Sequence, residues 1–358
     1  MKYFFNKYFK YLRVFKNIFL QIKFNCYTKP RILQLPITYM CNFDCVMCGV
    51  SKLKNKKDFT PEELRKIITS KLFRKITAVG INGGEPFIKD NLLNYIHAIV
   101  DTLPKLKNIH IITNGYFIDR IKEVLPQIKS VCALKRVSLN IAVSVDGIGE
   151  KNDFHRGKKC MEKIEETIDF LLSDLGKKCY DYMNIICTIT KYNVYDLSEV
   201  EVWAEKKHLN IAYNIATYNE RISNLEKYED FTIFNDELAR QITEEIFYQK
   251  FRETLSEKYF CLYWFVQNRQ RIALCEYKCN FGVTLTPNNQ LSYCATYSKE
   301  LGNAFLCDAA KLFKQHIPYR KKMVREKCKT CSHYANVTSL YGSIIYLLTL
   351  LKTRKLFH

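Results

Sequence analysis

From residue 33 to residue 217, short apolar runs alternate with longer amphipathic stretches. The runs at 33–39 (LQLPITY), 76–81 (ITAVGI), 109–113 (IHIIT), 137–145 (VSLNIAVSV), 184–190 (NIICTIT) and 209–215 (LNIAYNI) predict six buried strands. Between them, 61–73, 90–103, 118–128, 160–173 and 195–207 carry helical periodicity, the first opened by Thr60 as N-cap and Pro61 in the first turn. Near-continuous apolar strands separated by helices are the signature of an α/β fold with a parallel sheet covered by helices. Polar and glycine residues recur just past strand ends, at Asn82-Gly83-Gly84, Asn114-Gly115 and Asp146-Gly147. In parallel α/β folds that edge is where ligands bind.

Residues 218–272 break the rhythm. They are charged and helical in pattern, and suit a connector or a lid. From Cys275 short strands flank Pro287-Asn288-Asn289, a helix falls near 308–315, and two close cysteines follow. The expected organisation is a basic aromatic segment at 1–32, an α/β core at 33–217, a helical connector at 218–274, a small cysteine-bearing unit at 275–335 and an apolar, basic tail at 336–358. The 358 residues, 47% of them apolar, suffice for that core and a smaller companion.

Charge changes the picture at the ends. The formal charge is +20, and residues 1–43 hold eight Lys or Arg and no acid. Neither end carries an apolar run long enough for a spanning helix, and no small-residue cleavage site marks a secretory signal. Both ends could rest on an anionic membrane face or pack on the body of the protein. No zinc-finger spacing or other reader module is visible, so nucleic acid is not an expected partner.

Fifteen cysteines are too many for core filler and too few, in this length, for a disulfide scaffold. Cys41, Cys45 and Cys48 form a Cys-x3-Cys-x2-Cys run that can converge only on a small common centre, and thiolates favour iron–sulfur clusters, zinc or copper(I). A closed zinc site wants a fourth ligand, but the next cysteine is Cys132 and the nearest histidine His97. Three thiolates leave one iron of a four-iron cluster open.

This run, following a strand near the start of an α/β unit, resembles that of the radical S-adenosylmethionine (SAM) enzymes. The resemblance implies a partial (β/α)6 TIM-like barrel, a [4Fe-4S] cluster on Cys41, Cys45 and Cys48, and SAM chelating its open iron. Reductive cleavage of SAM then yields a 5′-deoxyadenosyl radical that abstracts hydrogen from substrate. Gly83-Gly84-Glu85-Pro86 resembles the family stretch that holds the SAM amino group. Asn114 resembles the family's third-strand terminus. Ser144 and Asp146, two apart on a strand, fit its Ser-x-Asp-Gly pattern and could reach the ribose or the methionine head. Residues 152–157 (NDFHRG) are similar to the family's His-Asp-x-x-Arg-Gly segment, with Asn152 in place of the His. Arg156 is there the candidate partner of the SAM carboxylate, and His155 reads as a surface or packing residue.

Cys279, Gly282 and Cys294 around a hairpin, then Cys328 and Cys331, resemble an auxiliary iron–sulfur domain of the SPASM or twitch type. Asn289 stands where that hairpin has Gly and tolerates a left-handed backbone. Four thiolates would close one auxiliary [4Fe-4S] cluster; structural zinc accepts the same spacing, and Cys275 competes with Cys279 as first ligand. Cys26, Cys132, Cys160, Cys179, Cys187, Cys261 and Cys307 have no partner pattern.

The resemblance implies an oxidoreductase-like enzyme in a reducing cytoplasm, served by a flavodoxin- or ferredoxin-like electron donor. Forty residues before Cys41 leave no room for the leader-gripping domain that peptide-modifying members often carry. With the short auxiliary unit, this favours oxidation of a small polar or glycan-related molecule. The alternatives are a maturase of a ribosomally made peptide, an activating enzyme for a glycyl-radical or sulfatase-type protein, and a non-enzymatic iron–sulfur protein.

Overall fold

The computed structural model describes residues 29–55, 57–275, 277, 281–333 and 338–352. All six expected strands form: β1 Ile32–Pro36, β2 Ala78–Asn82, β3 Asn108–Thr113, β4 Ser138–Ser144, β5 Tyr182–Ile189 and β6 Ile211–Ile215. They pair in parallel and in sequence order. This is the α/β sheet of a partial (β/α)6 barrel, with a helix returning across each crossover. The helices are α1 Pro61–Ile68, α2 Leu92–Thr102, α3 Ile118–Leu134, α4 Glu150–Arg156, α5 Met161–Leu172 and α6 Leu197–Lys206. Thr60 caps α1 in a reciprocal capping box with Glu63. One continuous core runs from Leu33, Leu35 and Ile81 through Ile111, Leu139 and Ile185 to the inward faces of α1, α2, α3 and α5.

The cysteine-bearing unit continues the same sheet. Strand β7 (Gly282–Leu285) pairs in parallel with β1, and β8 (Gln290–Ser292) and β9 (Gly302–Asn303) follow antiparallel. The edge that β1 would otherwise expose is thereby covered. Asn289 takes φ +65° in the hairpin turn, as its substitution for Gly requires.

The 218–272 stretch builds helices α7 (Glu237–Thr254) and α8 (Glu257–Asn268). Their buried aromatics Phe247, Phe251, Phe260 and Phe265 form a second core over Cys187, Ile189, Tyr213 and Ile215 at the β5–β6 end of the sheet. Beyond the sheet lie α9 (Ala309–Gln315), α10 (Ile317–Lys327) and α11 (Leu340–Lys352). The apolar pattern gave no sign of α10 because Met323 is its single buried residue. The basic segment 1–28 and Cys26 lie outside the described residues. Among those described, no helix is long and apolar enough to cross a membrane.

Candidate functional site

The loop after β1 carries the three cysteines, and neighbouring backbone pins it on every side. The Thr38 hydroxyl and the Tyr39 N–H donate to the Asp58 carboxylate at 2.6 and 3.1 Å. Gly84 N–H donates to the Thr38 carbonyl at 2.8 Å, and Glu85 N–H to the Met40 carbonyl at 2.9 Å. A Cβ on Gly84 would stand 1.9 Å from that Met40 oxygen. The two glycines therefore admit the cysteine loop itself, a closer constraint than approach to a ligand. Gly157, at φ +68°, plays the same part from the other side: a Cβ there would lie 2.2 Å from the Asp44 carbonyl. Val46 N–H donates to the His155 carbonyl at 3.0 Å.

Cys41, Cys45 and Cys48 line one cavity of about 350 Å³, together with Gly83, Gly84, Asn114, Ser144 and Arg156. Burial pushes the Cys41 thiol up to about 11 and the Cys45 thiol to about 12, and raises Cys48 as well. Without a compensating positive centre these groups stay protonated. The Arg156 guanidinium, 3.9 Å from the Cys45 sulfur, opposes that shift. Among the described residues, no three His, Cys, Asp or Glu side chains are gathered into a single-ion site. Arg156 Nε and Asn82 Oδ1 are buried on the same wall and find no hydrogen-bond partner among the described residues. Three thiols, an unsatisfied donor and an unsatisfied acceptor fit a metal–sulfur group beside a ligand with both carboxylate and amine.

Three expected ligand residues stand behind the wall. Asp146 is fully buried and accepts from Thr188 N–H at 2.6 Å, Arg156 Nη2 at 2.9 Å and His155 Nδ1 at 3.1 Å. Burial would push its carboxyl up, but Arg156 and His155 hold it below the usual range. Asp146 thus aims Arg156. His155 is packed, as expected, with its other ring nitrogen on Thr190 Oγ1 at 2.8 Å. Asn152, in the place of the family's His, accepts from Asp146 N–H at 3.0 Å.

Glu85 is fully buried, and its carboxylate accepts from Thr113 Oγ1 at 2.7 Å, Asn114 N–H at 2.6 Å and Phe87 N–H at 3.0 Å. It ties the end of β2 to the end of β3, with three of its roughly four acceptor sites taken by the protein. Pro86 opens the short turn behind it.

Burial lifts the Glu85 carboxyl to about 7 from an ordinary 4.5. The folded state therefore holds a proton that the unfolded chain has released, and this group's contribution to stability falls as pH rises from about 4.5 to about 7. Glu85→Gln abolishes that slope. Chemical denaturation across the window should show the wild-type advantage over the variant shrinking by about 3 kcal/mol, then levelling above pH 7. A constant difference would contradict the assignment.

Sequence reasoning missed Gln34, Thr188 and Asn214 on the cavity wall. Each is a polar residue inside or at the end of an otherwise apolar strand, and that interruption was the available signal. It also missed the loop after β6. Asn224 donates to the Met47 carbonyl at 2.8 Å, while Glu220 N–H donates to the Thr296 carbonyl at 2.8 Å. This loop joins the first cysteine set to the second, and its Arg221 lines both the main cavity and a neighbouring one of about 310 Å³ beside Cys294.

In the second set, Arg271 is the clamp. Its guanidinium donates to the carbonyls of Ala273 and Leu274 at 3.0 and 2.9 Å, and to those of Cys331 and His333 at 2.8 and 2.6 Å. Cys275 is thereby brought to Cys331, and both lie near enough to Cys294 to act on its charge. Burial raises the Cys294 and Cys331 thiols, the latter to about 12. Cys328 begins the turn that delivers Cys331. Cys279, expected as first ligand, lies outside the described residues; Cys275, its competitor, lies close to Cys294 and Cys331. His333 lines the main cavity, and burial lowers its imidazole to about 3. Cys132, Cys160, Cys179, Cys187 and Cys261 are buried, and Cys307 is exposed.

Residues 35–199 match the model of the Radical SAM superfamily. That stretch, a little under half of the chain, is similar to a radical SAM domain, and the cysteine-bearing unit follows it. Among curated proteins it is similar to the GTP 3′,8-cyclase of Alkaliphilus oremlandii, 31% identical over 145 residues, 38% of this chain and 42% of that protein. The probable GTP 3′,8-cyclase of Methanococcus vannielii is 27% identical over 62% of this chain and 70% of its own. The chain thus spans less than half of the first relative's length. Among solved structures the fold is that of Streptococcus suis SuiB bound to precursor peptide SuiA (TM-score 0.58, 15% identity, 92% of this chain and 76% of that one). It is also that of anSMEcpe with bound AdoMet and Cp18Cys peptide (TM-score 0.53, 18% identity, 86% and 87%).

Proposed function

We propose that this chain is a radical SAM enzyme whose substrate is a peptide or a protein segment. The observation that carries the chemistry is the gathering of Cys41, Cys45, Cys48, Gly84, Asn114, Ser144 and Arg156 on one cavity wall. Cys41, Cys45 and Cys48 would hold a [4Fe-4S] cluster, and SAM bound beside it would supply radical hydrogen-abstraction chemistry. In this reading Arg156, held by Asp146, pairs with the SAM carboxylate. Ser144 and Asn114 line the same pocket, and the loop at 219–224 closes its far side against water. Cys275, Cys294, Cys328 and Cys331 hold an auxiliary cluster, and a flavodoxin- or ferredoxin-like donor in a reducing cytoplasm supplies the electron.

The expectation of a small polar or glycan-related substrate gives way to the peptide reading. Two features support it: the main cavity meets a second at Arg221, and some of the solved structures sharing the fold over most of the chain carry peptides. The deciding experiment is anaerobic incubation of reduced protein with SAM, scored by 5′-deoxyadenosine release. Cysteine-containing peptides should raise the rate above the substrate-free level, while GTP and sugars leave it unchanged. Acceleration by GTP alone would overturn the peptide reading, and absence of release under every condition the enzyme reading.

Replacing both Cys328 and Cys331 by serine should lower the iron content by about half while SAM cleavage survives. Unchanged iron would remove the auxiliary cluster from the account.

A further inference from the structure

The C-terminal helix α11 is clamped along one face and bare along the other. Tyr346 and Leu350 on the inner face are each 1% exposed. The Tyr346 ring packs on Phe251 and Phe260, with centroids 5.9 and 5.2 Å away, and its hydroxyl donates to the Leu255 carbonyl at 2.6 Å. Just before the helix, Thr338 donates through its N–H and its hydroxyl to the Glu257 carboxylate at 3.0 and 2.8 Å. Gly342 approaches the Ile272 carbonyl so closely that a Cβ would stand 2.3 Å from it. The helix cannot roll on its axis without breaking these contacts.

Facing outward, Leu340, Tyr341, Ile344 and Leu348 are 50, 67, 53 and 54% exposed. Their spacing sets them along a single stripe. No charged residue occurs from Leu340 to Leu351; Lys352, Arg354 and Lys355 follow, and the chain has no Asp or Glu after Glu326. A fixed apolar stripe running into basic residues matches a helix lying in the headgroup layer of an anionic bilayer.

We propose that α11 docks this protein on an anionic lipid surface, the stripe entering the headgroup layer and the basic end meeting lipid phosphates. The eight Lys and Arg of residues 1–43, with no acid among them, add charge of the same sign. The proposal is independent of the substrate.

The test is co-sedimentation of the full-length protein with vesicles of phosphatidylcholine alone, or of phosphatidylcholine mixed with phosphatidylglycerol. Pelleting is expected with the mixed vesicles only, and should weaken with added salt. The double variant Ile344→Glu with Leu348→Glu should reduce the bound fraction at least about tenfold. Because both positions are exposed, its circular dichroism should match wild type; Ile344→Ser with Leu348→Ser repeats the measurement without added charge. Tyr341→Trp should show blue-shifted emission on mixed vesicles. Binding that persists in both double variants, or no pelleting with mixed vesicles, overturns the proposal. So does a wild-type dimer that the double variant disperses without any vesicle binding, which would assign the stripe to a second copy of the chain.

Discussion

Cys45→Ala is expected to bring 5′-deoxyadenosine release from SAM down to background and to remove the iron of the first cluster. Cys45 lies at the centre of the site: its sulfur is the one within 3.9 Å of Arg156, and it sits between Cys41 and Cys48 on the cavity wall. Two thiolates cannot hold a cluster that three position, and the buried guanidinium of Arg156 would lose its contact with the Cys45 sulfur. Iron analysis and SAM turnover on anaerobically reconstituted protein check this together. SAM cleavage retained by the variant would refute the cofactor assignment. Cys187→Ala is the control: Cys187 is fully buried in the second core, so its loss should cost stability while leaving SAM cleavage in place.

Gly84→Ala should do nearly as much damage without removing a ligand. The added methyl would lie 1.9 Å from the Met40 carbonyl oxygen and 3.1 Å from the Cys41 nitrogen, so the cysteine loop must shift bodily. A displacement of about 1 Å at a reacting centre costs on the order of a hundredfold in rate, and overpacking of this kind costs about 1–3 kcal/mol of stability. Gly80→Ala is the matched control, because nothing lies within 4 Å of its Cβ position. If Gly84→Ala and Gly80→Ala cleave SAM equally well, the loop is not fixed by this contact and the role given to the glycine pair is wrong.

Much of this site was legible in the sequence because its chemistry is local. Three cysteines within eight residues, a Gly-Gly pair just past a strand and a Ser two residues before an Asp are patterns that short-range geometry alone makes meaningful. Gly83, Gly84, Asn114, Ser144 and Arg156 accordingly meet the cysteines on one wall. Glu85 and Asp146 read as ligand residues in one dimension, whereas in the structure each accepts three hydrogen bonds from the protein, most of them from distant strands and turns. The loop after β6 that lines the cavity carries no recognisable motif, so its part in the site was not legible.

The sequence by itself determined the strand and helix alternation, the first cysteine set and the edge of the sheet where ligands bind, because apolar periodicity and close residue spacing act over a few residues. The tertiary structure alone decided which side chains turn to the cavity and which turn away to brace it. It also decided that Arg271 draws Cys275 to Cys331 and that the second cysteine unit joins the first sheet beside β1. Those outcomes depend on pairings between residues tens to hundreds of positions apart, where burial and hydrogen-bond satisfaction, not local pattern, select the partner.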